Sequence, residues 1–141
     1  MSRTWFPYAV VAALLYGLHQ IFTKLAADRI SDGFGGLIVE GTAVVTIAGY
    51  LAGLYLLHRW NQSATVAGTL FSIITGVCVG AGTIVFFLLF QRGGPLSAVP
   101  AILAAGAAMM AVAGIVWFDE PARPIRLLGI VMSLIGLYLV R

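Results

Sequence analysis

The chain has 141 residues, 61% hydrophobic and only 9% charged, with a formal net charge of +3 and a mean hydropathy of +1.03. A soluble domain carries about 25% charged residues, and an apolar mass of this size would have no polar surface to cover it. The composition therefore calls for an integral membrane protein. The eight Lys and Arg residues fall singly at the ends of apolar runs, which suits membrane flanks and excludes a nucleic-acid footprint.

Five apolar runs follow one another. The first covers about residues 5–27 and stops at "DRISDG". Its Arg3, apolar stretch and "KLAAD" resemble a signal peptide superficially. However, His19, Gln20, Thr23 and Lys24 interrupt the pattern, so this segment is expected to stay in the mature protein. The second run, about 35–57, ends at "HRWNQS"; the third, about 67–90, at "QRGGP"; the fourth, about 96–118, at "DEPARP". Each has roughly 23 residues, or about 34 Å at 1.5 Å per residue, enough to cross a ~30 Å hydrocarbon core. The fifth, about 124–140, opens on Pro124, which suits a first helical turn. With roughly 17 residues it is marginal as a span and should stand nearly upright. Barrel strands are excluded, since the runs are twice too long and do not alternate. The expected fold is an all-α membrane protein of five transmembrane helices in one domain, 1–141.

Five spans put the termini on opposite sides. Arg3, Arg59, Arg123 and Arg126 then share one face of the membrane, and Lys24, Arg29, Arg92 and Arg141 the other. Orientation normally follows the Lys/Arg excess, and here there is none. Dual topology is the expectation, unless the N-terminal amine or a partner settles the orientation. Trp5, Tyr8, Tyr55, Trp60, Trp117 and Tyr138 mark span ends as interface anchors.

Small residues mark where helices approach closely. The third run has Gly76, Gly80 and Gly82, and the fourth is almost entirely small from Ala104 to Ala108. Such density suggests tight packing within the bundle or across a dimer interface, and packing within the chain is the default for both. The fifth run has Gly129, Ser133 and Gly136 on one face, and is the expected dimer interface. Pro100, one turn inside the fourth run, deprives the Leu96 carbonyl of its usual donor. It either kinks a helix that lines a cavity or simply opens the helix.

The chemistry concentrates in the first two runs. Tyr16, His19, Gln20, Thr23 and Lys24 recur at helical spacing and form one polar stripe. In a membrane helix such a stripe should face the bundle interior or a wet cavity. Glu40 stands in the apolar run "GGLIVEGTAVVTIAG", where a charge at the helix centre costs at least ~2.5–3.5 kcal/mol. Two readings stay open. Glu40 either exchanges protons and binds substrate or a coupling ion, or it forms a structural ion pair with Lys24, at similar depth on the antiparallel neighbour. Cys78 is the only cysteine and reads as a small buried hydrophobe. No metal-ligand cluster, phosphate loop or nucleophile elbow is present, so no enzyme, metal or cofactor is expected.

From residue 88, "LLFQRGGPLSAVPAILAAGAAMMAVAGIVWFDEPARPIRLLGIVMSLIGLYLV" resembles the second half of an EamA-like repeat of the drug/metabolite transporter superfamily. The matching features are the Arg92–Gly93–Gly94–Pro95 loop, the Asp119–Glu120–Pro121 turn and the "LLGI…G" of the last helix; "YGLHQIFTKLA" is similar to the family's first helix. Most members carry two such five-span repeats, inverted. The resemblance implies that two copies of this chain, inserted oppositely, would rebuild that architecture. It also implies a transporter of a small metabolite, drug or amphipathic compound in the inner (plasma) membrane; the lack of a nucleotide-binding motif makes a gradient the expected driver, and a proton is the expected ion because Glu40 and His19 can carry one. The substrate would sit among the first-span polar residues, Glu40 and the Pro100 backbone. The rival expectation is a non-transporting membrane subunit, or half of a heteromeric transporter or lipid-linked-sugar flippase.

Overall fold

The computed structural model describes residues 5–139, apart from the side chains of Arg126, Ser133 and Leu137. Arg3 and Arg141, two members of the charge tally, and Val140 lie outside these residues, and so does the Ser133 side chain. All regular structure among the described residues is helical: α1 (Phe6–Ala27), α2 (Asp32–Leu56), α3 (Val66–Gln91), a 3-10 turn at Leu96–Ala98, α4 (Val99–Trp117) and α5 (Pro124–Leu139). Four segments are long and apolar enough to cross a membrane: α1, α2, α3, and the 3-10 turn together with α4. The chain is thus a multi-pass membrane protein. α5 has 16 residues, about 24 Å of helix.

The helix ends follow local chemistry. Pro7 sits in the first turn of α1, where a missing N–H is no loss. Thr65 caps α3 by accepting a hydrogen bond from the Gly68 N–H at 3.1 Å. α2 ends in a left-handed residue, His58 (φ 54°), which lets the Arg59 N–H reach the Leu54 carbonyl at 2.9 Å. After α3, Gly93 (φ 85°) takes that role, donating to the Phe90 carbonyl at 3.0 Å.

The chain divides into two compact units, one up to Gly93 and one from Gly94. In the first, α2 packs along α3, and α1 packs on α3 and more lightly on α2. α2 and α3 run antiparallel, so deeper residues of one meet earlier residues of the other. Gly35 lies against Phe87, Gly36 against Ile84, and Glu40 against Thr83. A Cβ on Gly35 would stand 2.5 Å from two Phe87 ring atoms, so glycine is what admits the ring. This corrects the expectation from the glycine motif of the third run. A Cβ at Gly76, Gly80 or Gly82 would meet no atom within 4 Å among the described residues. Close approach occurs at Gly35 and Gly36 instead.

In the second unit α5 packs back along α4. The turn between them uses another left-handed residue, Asp119 (φ 51°), and the Glu120 N–H reaches the Gly114 carbonyl at 3.1 Å. Pro100 is the second residue of α4. The Leu96 carbonyl accepts from the Val99 N–H in the 3-10 turn, so it is not left without a donor, and Pro100 serves as a helix opening. Cys78 is exposed, not buried as its apolar setting suggested.

Large apolar side chains dominate the exposed surface. The buried apolar residues include Phe87 and Phe90, while Leu14, Phe22, Val45, Ile74 and Val85 are exposed. Gln20, Thr23 and Thr83 are buried. Apolar surface on this scale belongs against lipid, and these three polar side chains lie inside.

Candidate functional site

The site is built by α1, α2 and α3 of the first unit. Glu40 lies about 12 Å inside the first residue of α2, and Thr83 about 12 Å before the last residue of α3. Their equal depth lets the Thr83 hydroxyl donate to Glu40 Oε1 at 2.6 Å. That length is in the range of a charge-assisted O–H···O⁻ bond. Thr23, Thr46, Thr69 and Thr75 each donate to the carbonyl one turn back in their own helix. Thr83 forgoes that local bond for the carboxylate across the interface.

Lys24 does not reach Glu40; no ion pair joins them among the described residues. α2 starts at Asp32, earlier than the apolar pattern suggests, so Glu40 is deeper than expected. Lys24 lies only about 4.5 Å from the end of α1. Its ammonium points to the C-terminal end of α3, 3.4 Å from the Phe90 carbonyl and 5.4 Å from the Phe90 ring centroid. Both contacts suit a cation: the carbonyl is at the negative end of the helix dipole, and the ring face attracts positive charge. The neighbouring Gln91 side chain donates to the Ile30 carbonyl at 2.9 Å and ties the end of α3 to the α1–α2 connection.

The polar stripe of α1 turns inward over its C-terminal half. Gln20 is 7% exposed and Thr23 3% exposed, whereas Tyr16 is 67% exposed. His19 Nδ1 and Gln20 Oε1 are both shielded, and neither has a hydrogen-bond partner among the described residues. Such groups are costly to leave unpaired, at ~1–3 kcal/mol each. His19 lines a pocket of about 360 Å³ together with Phe22 and Thr23 of α1, Val39 and Thr42 of α2, and Phe87 of α3. Glu40 is next to Val39 in sequence but faces α3, so the acid and the pocket lie on different faces of α2.

Of the sequence-derived site residues, the structure gathers His19, Gln20, Thr23, Lys24 and Glu40 in the first unit. Tyr16 faces outward there, and Pro100 belongs to the second unit. Cβ atoms at Gly129 or Gly136 would meet nothing within 4 Å among the described residues. Thr83, Phe87 and Phe90 were not singled out from the sequence. A signal for Thr83 did exist. Reflecting Glu40 through Asn61, the middle of the α2–α3 connection, lands on Gly82, one residue away. Phe87 and Phe90 carry no such mark in a run rich in Phe, Val and Leu.

No protein-family model and no solved structure matches the chain. It is similar to a protein of a Sinorhizobium species named as an uncharacterized transporter in the cobO 3′ region, at 23% identity over 138 residues, spanning 96% of this chain and 95% of the relative.

Proposed function

We propose that the chain is a secondary active transporter of a small metabolite, drug or amphipathic compound, built as one EamA-like repeat. In this reading α5 crosses the membrane as a fifth span. Two copies then insert oppositely in the inner membrane and rock against each other around a site near the midplane. A proton on Glu40 couples transport to the gradient. The observation that carries the reading is an acid set deep in a membrane-spanning helix, beside an inward-facing stripe with two unpaired polar atoms. Intramembrane acids mark ion and substrate pathways, and the transporter-named relative covers nearly the whole chain. The pair is serviceable in either proton state. Thr83 donates to the carboxylate, and a protonated Glu40 would donate to the hydroxyl.

A second reading is favoured by the same 2.6 Å bond: Glu40 and Thr83 are an interhelical clamp with no part in transport. Proteoliposomes loaded with a pH-sensitive dye and challenged with a metabolite and drug panel separate the two. The transport reading expects Glu40→Gln to stay folded and to lose proton-linked flux, while Thr83→Val keeps flux with altered pH dependence. The clamp reading expects both variants to lose stability non-additively and flux to survive in whatever protein remains folded.

A further inference from the structure

We infer that Gln20 is the positioning residue of the Glu40 proton site: when Glu40 is protonated its carboxyl donates to the Thr83 hydroxyl, and that hydroxyl turns its own hydrogen to Gln20 Oε1. This rests on the proton-carrying role of Glu40 proposed above and adds the residue that closes the hydrogen-bond chain.

The layers of the first unit place Gln20 in that chain. α1 and α3 run in the same direction, each antiparallel to α2. Their ends are level, since the Lys24 ammonium meets Phe90 and the Gln91 side chain meets Ile30, just past α1. The buried residues of α1 are Gln20, Thr23 and Ala27, and those of α3 are Thr83, Phe87 and Phe90. Each set repeats every three or four residues, so each is one face of its helix, and the two helices pack together. Counted from the level ends, the faces pair as Ala27 with Phe90, Thr23 with Phe87, and Gln20 with Thr83. The middle layer is seen directly, because Thr23 and Phe87 line one pocket. Gln20 and Thr83 then share a layer about 10–12 Å from the helix ends, which is also the depth of Glu40.

The chemistry follows from an acceptor with nothing to accept. Gln20 is 7% exposed, and its Oε1 is shielded with no hydrogen-bond partner among the described residues. Sealed from water and from any solute, this oxygen can be satisfied only by a donor of the protein itself. The neighbouring side chains are spent or turned away. Thr23 donates to the His19 carbonyl at 2.8 Å, and the Lys24 ammonium is at the end of α3. Tyr16 and Thr42 are exposed. That leaves Thr83, whose single hydrogen goes to Glu40 Oε1 at 2.6 Å. A hydroxyl has one hydrogen to give and two lone pairs to receive with. While Glu40 is ionised, the Thr83 hydrogen stays on the carboxylate and Gln20 Oε1 goes without. A proton bound to Glu40 reverses the bond. The carboxyl O–H then donates to Thr83 Oγ1, the freed hydroxyl hydrogen swings toward α1, and the Gln20 amide turns within its layer to accept it. One proton is taken up and only hydrogen bonds change.

No charged group competes with Glu40 in this layer. α3 carries no Asp, Glu, Lys, Arg or His, and Cys78 is exposed. On α1, Lys24 is held at Phe90, His19 lines the pocket on the Val39 face of α2, and Tyr8 and Tyr16 are exposed. On α2 itself, Asp32 is about 12 Å away along the helix, and Tyr50 and Tyr55 are exposed.

The test uses NMR on the full chain in lipid nanodiscs, isotope-labelled at glutamine and threonine. The glutamines are Gln20, Gln62 and Gln91; Gln62→Asn and Gln91→Asn, at exposed positions, identify the other two signals. On acidification the Gln20 Cδ and Thr83 Cβ signals should move together with one midpoint. The Gln20 response should be lost in Glu40→Gln and in Thr83→Val, and kept in Thr83→Ser. Thermal melts show which variants are folded, and the shared midpoint in the unaltered protein carries the test if Thr83→Val is not. The inference is overturned by a Gln20 signal that ignores pH in the unaltered protein or by midpoints that differ. It is also overturned by a response that survives Glu40→Gln, which would make His19 its source, or Thr83→Val, which would put Glu40 directly against Gln20. Proton-linked, Glu40-dependent flux with a pH-silent Gln20 would overturn the relay alone. A Gln20 response that needs Glu40 and Thr83, with no proton-linked flux of any compound, would overturn the transport reading and leave the relay standing.

Discussion

Gly35→Ala tests the packing that shapes the site. The added methyl group would sit 2.5 Å from Phe87 Cε1 and Cζ and 2.9 Å from Cδ1, well inside contact distance. Phe87 is 1% exposed, so neighbours hold it on nearly every side. Overpacking of this kind costs ~1–3 kcal/mol, against a helix-propensity gain of ~1 kcal/mol for replacing glycine with alanine. The net expectation is a loss of up to about 2 kcal/mol. Gly76→Ala is the internal control, because its Cβ meets nothing within 4 Å; it should be neutral or stabilising by up to ~1 kcal/mol. Reversible unfolding in mixed micelles measures both. Adding Phe87→Leu should recover part of the Gly35→Ala loss, as expected for two residues in direct contact. Equal stability of the Gly35→Ala and Gly76→Ala proteins would refute the α2–α3 register, and with it the pairing of Glu40 with Thr83.

His58 holds a left-handed conformation that glycine adopts freely; His58→Gly should stabilise the protein by about 0.5–1 kcal/mol, and a lowered melting temperature would contradict the helix-end geometry. Gly136→Leu should weaken the proposed dimer while leaving insertion intact, and unchanged cross-linking and particle size would move the interface away from α5. Two added lysines near residue 61 should bring that connection to the cytoplasmic side, and two near residue 31 should do the reverse. Paired reporters at the termini read the outcome, and a wild type with one fixed orientation would refute dual topology.

Composition and local pattern determined the helices themselves. Apolar length is a local property measured against a bilayer of known thickness, so the expected runs lie within a few residues of α1 to α5. Glu40 was equally visible as an acid where lipid tolerates none. The partners of the polar groups were a different matter, because they depend on helix phase and depth. A shift of one residue turns a side chain by about 100°, and the earlier start of α2 at Asp32 lowers Glu40 by about 4.5 Å. That was enough to take Glu40 from Lys24 to Thr83, and to leave Lys24 to the end of α3. Close packing followed the same rule. Gly76 and Gly80 have the helical spacing of a contact motif, but a Cβ at either would meet nothing within 4 Å among the described residues, while Gly35 meets Phe87. Pro100 could kink a helix or open one, and the choice turned on where α4 begins. Spacing along the chain says which residues share a face; only the tertiary structure decides what that face touches, because contact is set by the register of helices whose relative rotation no single helix encodes.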